Sequence, residues 1–144
     1  MTTIADNELQ TELQEMYMQA THWLQDISFL ETETQFFRNI ILRYPPADPV
    51  VSRAAEFSTK ITEQENRLSE LKFKIPVFLS FLEPFIGDNS QVMDLGFLNR
   101  YNLLQNELTA LFNIIRDTKN ELFHYTESIM SPADSQWAQN LIYI

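Results

Sequence analysis

The sequence predicts an all-α protein: an antiparallel, up-down-up three-helix bundle of coiled-coil type, with a short fourth helix at the C-terminus. Two observations support this prediction. Apolar residues recur at alternating spacings of four and three along three long stretches, and proline- or glycine-containing segments separate those stretches. A repeat of about 3.5 residues, sustained over several heptads, is typical of long helices that wind around one another in a left-handed sense.

The first stretch predicts a helix over residues 4–44. Its core positions are Leu9, Leu13, Met16, Ala20, Trp23, Ile27, Leu30, Thr34, Phe37, Ile41 and Tyr44. The prolines at 45 and 46 cannot continue this helix. Asp48 is a suitable N-cap for the next helix, and Pro49 suits its first position. A connection this short predicts that helices 1 and 2 are antiparallel neighbours.

The second stretch predicts a helix over residues 49–86. Its core positions are Val50, Ala54, Phe57, Ile61, Gln64, Leu68, Leu71, Ile75, Phe78, Leu82 and Phe85. The apolar phase continues on both sides of Pro76, which indicates a kink and not an end. Gly87 is a suitable left-handed residue to end the helix.

The third stretch predicts a helix over residues 90–130, or a later start capped by Asp94 if Gly96 delays it. Its core positions are Phe97, Tyr101, Leu104, Leu108, Leu111, Ile115, Thr118, Leu122, Tyr125 and Ile129. Ser131 and Pro132 then suit the start of the fourth helix, over residues 132–142. We expect residues 1–144 to form a single domain.

Three polar residues interrupt the apolar series: Thr34, Gln64 and Thr118. Counting from the two turns places Thr34 near the level of Phe57 and Thr118, with Gln64 a turn or two lower. We expect a polar core layer that penalises slipped registers, since a shift would leave those groups without hydrogen bonds. Contact of this layer with a small ligand is the alternative.

Helix 2 carries a second apolar stripe, formed by Phe73, Val77 and Phe81, beside its core series. A helix that is apolar on every side must be buried on every side. We expect a second copy of the chain to cover this stripe, with the three residues as interface anchors. The alternative is that helix 2, bent at Pro76, covers it against helix 1 and the entry of helix 3.

A weaker apolar patch lies on helix 1, at Phe29, Phe36 and Ile40. The fourth helix, with Trp137 and Leu141, is its expected cover.

One motif suggests a metal: Glu121 and His124 are three residues apart on helix 3. Dinuclear bundles need two such motifs and further glutamates, and the sequence has one. A mononuclear site that includes Glu31 or Glu33 stays open. Glu121 and His124 flank core positions of helix 3, so we expect both side chains at the surface. We therefore expect no cofactor.

Composition narrows the class of function. The net charge is −10, and residues 1–37 contain acidic residues but no lysine or arginine, which disfavours nucleic acid as a partner. No cysteine is present, as is common in a reducing compartment. No signal peptide is apparent at the N-terminus, and no apolar run is long enough to span a membrane. We therefore expect a cytoplasmic protein without membrane insertion.

No arrangement of a nucleophile, a base and an oxyanion hole is evident, and the two glycines exclude glycine-rich phosphate loops. The sequence therefore predicts a non-catalytic module for protein–protein interaction or scaffolding, most simply a homodimer. The alternative is a bundle that binds a small ligand or a metal.

Overall fold

The computed structural model describes residues 4–43, 51–87 and 95–129. These residues form α1 (Ile4–Arg43), α2 (Val51–Leu82), a short 3-10 helix (Glu83–Phe85) and α3 (Leu95–Ile129). The three long helices pack against one another, and the described residues contain no strand. The all-α prediction is confirmed. The predicted turn at 45–49, a start of helix 3 at residue 90 and the fourth helix at 132–142 lie outside the described residues.

The end of α2 differs from its prediction. The α-helix ends at Leu82 and tightens into the 3-10 helix, whereas the spacing predicted α-helix to residue 86. Pro84 explains the difference, because it has no N–H to donate and disfavours α-helical geometry in the residue before it. Gly87 has a φ of +81°, in the left-handed region that was expected of it. Pro76 lies inside α2, with helix on both sides.

One side chain of α1 binds the backbone just after α2. The side-chain amide of Gln10 donates a hydrogen bond to the carbonyl oxygen of Phe85 at 2.9 Å. Its amide oxygen accepts one from the N–H of Gly87 at 2.7 Å. Both backbone groups lie beyond the α-helical ladder, so Gln10 satisfies polar groups that the helix itself cannot.

The contacts divide the chain into two compact units. Unit 1 consists of Met1–Phe29 and Leu68–Ala110, and unit 2 consists of Leu30–Arg67 and Leu111–Ile144. Each unit contains a segment of every long helix. The expected single domain over residues 1–144 stays a prediction.

The core of unit 1 follows the 4-3 spacing. Its buried apolar residues are Leu13, Met16, Ala20, Trp23, Ile27, Leu68, Leu71, Ile75, Phe78, Leu82, Leu104 and Leu108. Trp23 stacks on the ring of Tyr101 with 5.0 Å between ring centroids. Burial raises the pKa of Tyr101 above its usual value of 10.0, and the negative charge of Glu15 raises it further. The Tyr101 hydroxyl therefore stays protonated well into the alkaline range.

The core of unit 2 follows the same spacing with two departures. Its buried apolar residues are Leu30, Phe37, Ile40, Phe57, Ile61, Leu111, Ile115, Leu122, Phe123 and Tyr125. Ile40 is buried and Ile41 only half-buried, the reverse of the prediction. Neighbouring residues lie about 100° apart around a helix, so the spacing alone does not decide between them near a helix end. Phe123 and Thr126 are buried although they lie outside the predicted stripe.

Candidate functional site

The second apolar stripe of α2 is exposed in the structure. Phe73 is 72% exposed, Val77 39% and Phe81 44%. The three residues are spaced by four, so they lie along one face of the helix. The alternative, in which helix 1 and the entry of helix 3 cover this stripe, involves residues 92–94, which lie outside the described residues, so it stays a prediction.

The stripe forms one wall of a groove between α2 and α3 within unit 1, with a volume of about 500 Å³. We call it the α2–α3 groove. On the α3 side the wall includes Leu103, which is 67% exposed. The buried residues Phe78 and Leu104 form the floor. The groove therefore has an apolar base and exposed apolar side chains on both walls.

Charged residues of both signs line the groove. The Lys74 ammonium lies 3.2 Å from a carboxylate oxygen of Glu107. The guanidinium carbon of Arg100 lies 4.6 Å from the centre of the Phe81 ring, within the range of a cation–π contact. The strongly acidic character of the whole chain is thus absent around this groove.

The apolar spacing in the sequence predicted the α2 side of the groove but not its α3 side. Leu103 directly precedes the core residue Leu104, so a second stripe on helix 3 was detectable as an apolar residue flanking the core series. Arg100 carries no such signal. Its place at the groove follows from which turn of α3 lies beside Phe81, and the spacing within one helix does not contain that information.

The structure buries all three polar residues of the predicted core layer. Thr34 is 1% exposed, Gln64 2% and Thr118 3%. The side-chain amide of Gln64 donates a hydrogen bond to the Thr118 hydroxyl at 2.7 Å. The Thr34 hydroxyl instead donates to the backbone carbonyl of Glu31 in its own helix, at 3.0 Å. The structure therefore joins two of the three residues directly.

The expected level of Gln64 is wrong. Counting from the turns placed it a turn or two below Thr118, whereas the hydrogen bond places the two side chains side by side. The count assumed a start of helix 3 near residue 90. An uncertain connection between helices shifts the register of one against the other by several residues, which is more than a turn.

The amide oxygen of Gln64 is buried and has no hydrogen-bond partner among the residues that the structure describes. Gln64 and Thr118 also line a cavity of about 310 Å³, together with charged side chains that include Lys60 and Asp117. A molecule with a hydrogen-bond donor would satisfy this oxygen. Whether the layer sets the register or contacts a ligand stays a prediction.

The candidate metal ligands form ion pairs with lysines or lie at the protein surface. Glu121 and His124 are both exposed, and a carboxylate oxygen of Glu121 lies 3.0 Å from the Lys60 ammonium. Glu33, a candidate third ligand, lies 3.3 Å from the Lys119 ammonium. Among the described residues, no group of three histidines, aspartates or glutamates could hold a metal ion.

Comparison of the chain with protein-family models, with curated proteins and with solved structures finds no match. Within the described ranges, no helix has a stretch both long and apolar enough to cross a membrane. Function is therefore inferred from the chain's own residues.

Proposed function

We propose that this protein is a non-catalytic helical module for protein–protein interaction or scaffolding, and that it self-associates as a homodimer through the α2–α3 groove. The observation that carries the proposal is the exposure of Phe73, Val77, Phe81 and Leu103 around one apolar groove. Aromatic residues in a concave apolar surface are typical anchors of protein interfaces.

The charges around the groove support a second copy as the occupant. Lys74 and Arg100 contribute positive charge, and Glu107 contributes negative charge. A surface with both signs can be complementary to itself, as the isologous interface of a two-fold dimer requires. A strongly acidic partner would be repelled by Glu107, and a strongly basic partner would be repelled by Lys74 and Arg100.

We also propose that the helices form an antiparallel coiled coil. Within unit 2, Lys60 pairs with Glu121 and Gln64 with Thr118. Residue numbers thus rise along α2 as they fall along α3, as expected for antiparallel neighbours. The burial of the 4-3 positions supports the coiled-coil type. The lack of cysteine supports a reducing compartment, and we propose the cytoplasm.

The double substitution Phe73→Glu and Phe81→Glu tests the self-association. Each phenylalanine stabilises an interface by about 1.5–3 kcal/mol when fully buried, and the dimer loses four of them while four carboxylates are introduced. Because Phe73 is only 72% exposed and Phe81 44% exposed before association, the four rings together contribute about 3.5–7 kcal/mol to the dimer. At about 1.4 kcal/mol per tenfold change, we expect the dimer dissociation constant to rise by at least roughly three-hundredfold. Sedimentation velocity measures this change, and circular dichroism checks that the variant stays helical.

The matched control is Met18→Glu with Leu42→Glu. These residues are 62% and 73% exposed and do not line the groove, and the double substitution makes the same change of charge. We expect the control to dimerise like the unsubstituted chain. A folded Phe73→Glu, Phe81→Glu variant with an unchanged dissociation constant, or an unsubstituted chain that is monomeric at high concentration, would contradict the proposal.

A further inference from the structure

We infer that the second copy lies across the α2–α3 groove in one orientation, related by a two-fold axis that crosses the helices at Val77 and at the Leu103–Leu104 pair. In this arrangement α2 packs antiparallel on the α2 of the partner subunit, and α3 packs antiparallel on its α3. This inference rests on the proposed self-association and adds to it which residues meet.

The exposed residues of α2 are symmetric about Val77. Phe73 lies four residues before Val77, and Phe81 lies four residues after it. A two-fold axis at Val77 therefore places Phe73 against Phe81 of the partner subunit, and Val77 against its own copy. Each aromatic ring meets another aromatic ring, which is a favourable contact beyond the area it buries.

The charged residues of α3 are symmetric about the Leu103–Leu104 pair. Arg100 and Glu107 are seven residues apart, about two turns, so they lie on the same face. A two-fold axis midway between them places Arg100 opposite Glu107 of the partner subunit, and the reverse pair forms at the other end. Equal charges at these positions would have repelled each other, whereas opposite charges attract.

A single two-fold axis can pass through both centres of symmetry, because Val77 and the Leu103–Leu104 pair lie at the same level along the helices of unit 1. Lys74 of α2 lies beside Glu107 of α3, at 3.2 Å, and Phe81 of α2 lies beside Arg100 of α3, at 4.6 Å. Midway between these two contacts, α2 presents Val77 and Phe78, and α3 presents Leu103 and Leu104. The two local symmetries therefore coincide.

A two-fold axis parallel to the helices is the competing arrangement. It would place α2 against α3 of the partner subunit and set Lys74 opposite the partner's Glu107. That contact repeats an ion pair that Lys74 already makes within its own chain. The crossing axis instead supplies a carboxylate to Arg100, which among the described residues contacts the Phe81 ring and forms no ion pair.

Cysteine cross-linking distinguishes these arrangements, because the chain contains no cysteine of its own. The crossing axis brings the two copies of Val77 together, so Val77→Cys should form a disulfide-linked dimer under mild oxidation. Neither Phe73→Cys nor Phe81→Cys should link to itself. The two copies of either residue lie about 12 Å apart along the helix axis, beyond the roughly 7 Å limit between the Cα atoms of a disulfide. A mixture of these two variants should give the mixed disulfide.

Met18→Cys, exposed and outside the groove, is the control for random collision. At micromolar concentration we expect Val77→Cys to link roughly a thousandfold faster than this control, since the thiols of a dimer are held at millimolar effective concentration. Linking of Val77→Cys only to Leu103→Cys, at an exposed position of α3 at the same level, in a mixture would overturn the orientation and leave the dimer in place. Failure of self-association itself is read separately, from sedimentation of the unsubstituted chain.

Discussion

At the scale of single residues, the hydrogen bond between Gln64 and Thr118 is the main departure from an apolar core. Both side chains are almost fully buried, and each depends on the other for the 2.7 Å bond. A buried polar group has lost its hydration, and only a hydrogen-bond partner within the protein compensates for that loss. We therefore expect the pair to favour one register of α2 against α3 more than it adds net stability.

The substitution Thr118→Val should lower the free energy of unfolding by about 1–3 kcal/mol, because it leaves the Gln64 amide without an acceptor. Adding Gln64→Leu should recover most of this loss, since both polar groups are then gone. Urea denaturation of the two single variants and the double variant measures the coupling.

The matched control for this prediction is Thr34→Val. The Thr34 hydroxyl is equally buried but bonds to the backbone of its own helix, whose carbonyl is already part of the helical ladder. We expect a loss smaller than that of Thr118→Val. Equal losses in the two variants, or a double variant no more stable than Thr118→Val, would show that Gln64 and Thr118 are not coupled.

At the scale of elements, the end of α2 depends on Gly87. Its φ of +81° is costly for a residue with a side chain. Among the described residues, a Cβ at this position would meet nothing within 4 Å, so we expect the cost of a substitution to come from the backbone conformation. Gly87 also donates the hydrogen bond that ties this segment to Gln10 in α1.

We expect Gly87→Ala to lower the free energy of unfolding by about 1–2 kcal/mol, the cost of a left-handed conformation for an ordinary residue. Gly87→Asn is the control, because asparagine tolerates this conformation better, and it should lose less. Thermal or urea denaturation measures both. Equal losses for alanine and asparagine would indicate that the backbone conformation is not the cause.

At the scale of the whole molecule, the net charge of −10 opposes self-association. Two such charges about 30 Å apart repel by about 14 kcal/mol in water before screening. The Debye length falls from about 30 Å at 0.01 M salt to about 10 Å at 0.1 M, so most of this repulsion disappears over that range. The exposed ion pairs of the proposed interface are worth only about 0–1 kcal/mol each, so the net repulsion dominates.

We therefore expect the dimer to tighten as salt is added. Sedimentation equilibrium at increasing sodium chloride should show a falling dissociation constant, and potassium chloride should give the same curve if ionic strength is the cause. A dissociation constant that rises with salt would show that attraction between opposite charges at the interface outweighs the net repulsion.

The sequence alone was sufficient to predict much of this fold. It predicted three long helices, the positions that face inward along most of each one, the burial of Thr34, Gln64 and Thr118, and the left-handed Gly87. It also predicted that Phe73, Val77 and Phe81 lie outside the core series. Each of these properties depends on the order of residues within one helix or turn, where the geometry of the α-helix is known in advance.

Only the tertiary structure decided which residues of different helices lie side by side. It paired Gln64 with Thr118, buried Ile40 in place of Ile41, and brought Arg100 and Leu103 of α3 beside the α2 stripe. The physical reason is that spacing along one helix defines its inward face, whereas the level of one helix against another depends on the connections and on packing. The α2–α3 groove is formed by two helices, so the residues of its α3 wall could be identified only from the packing of α3 against α2.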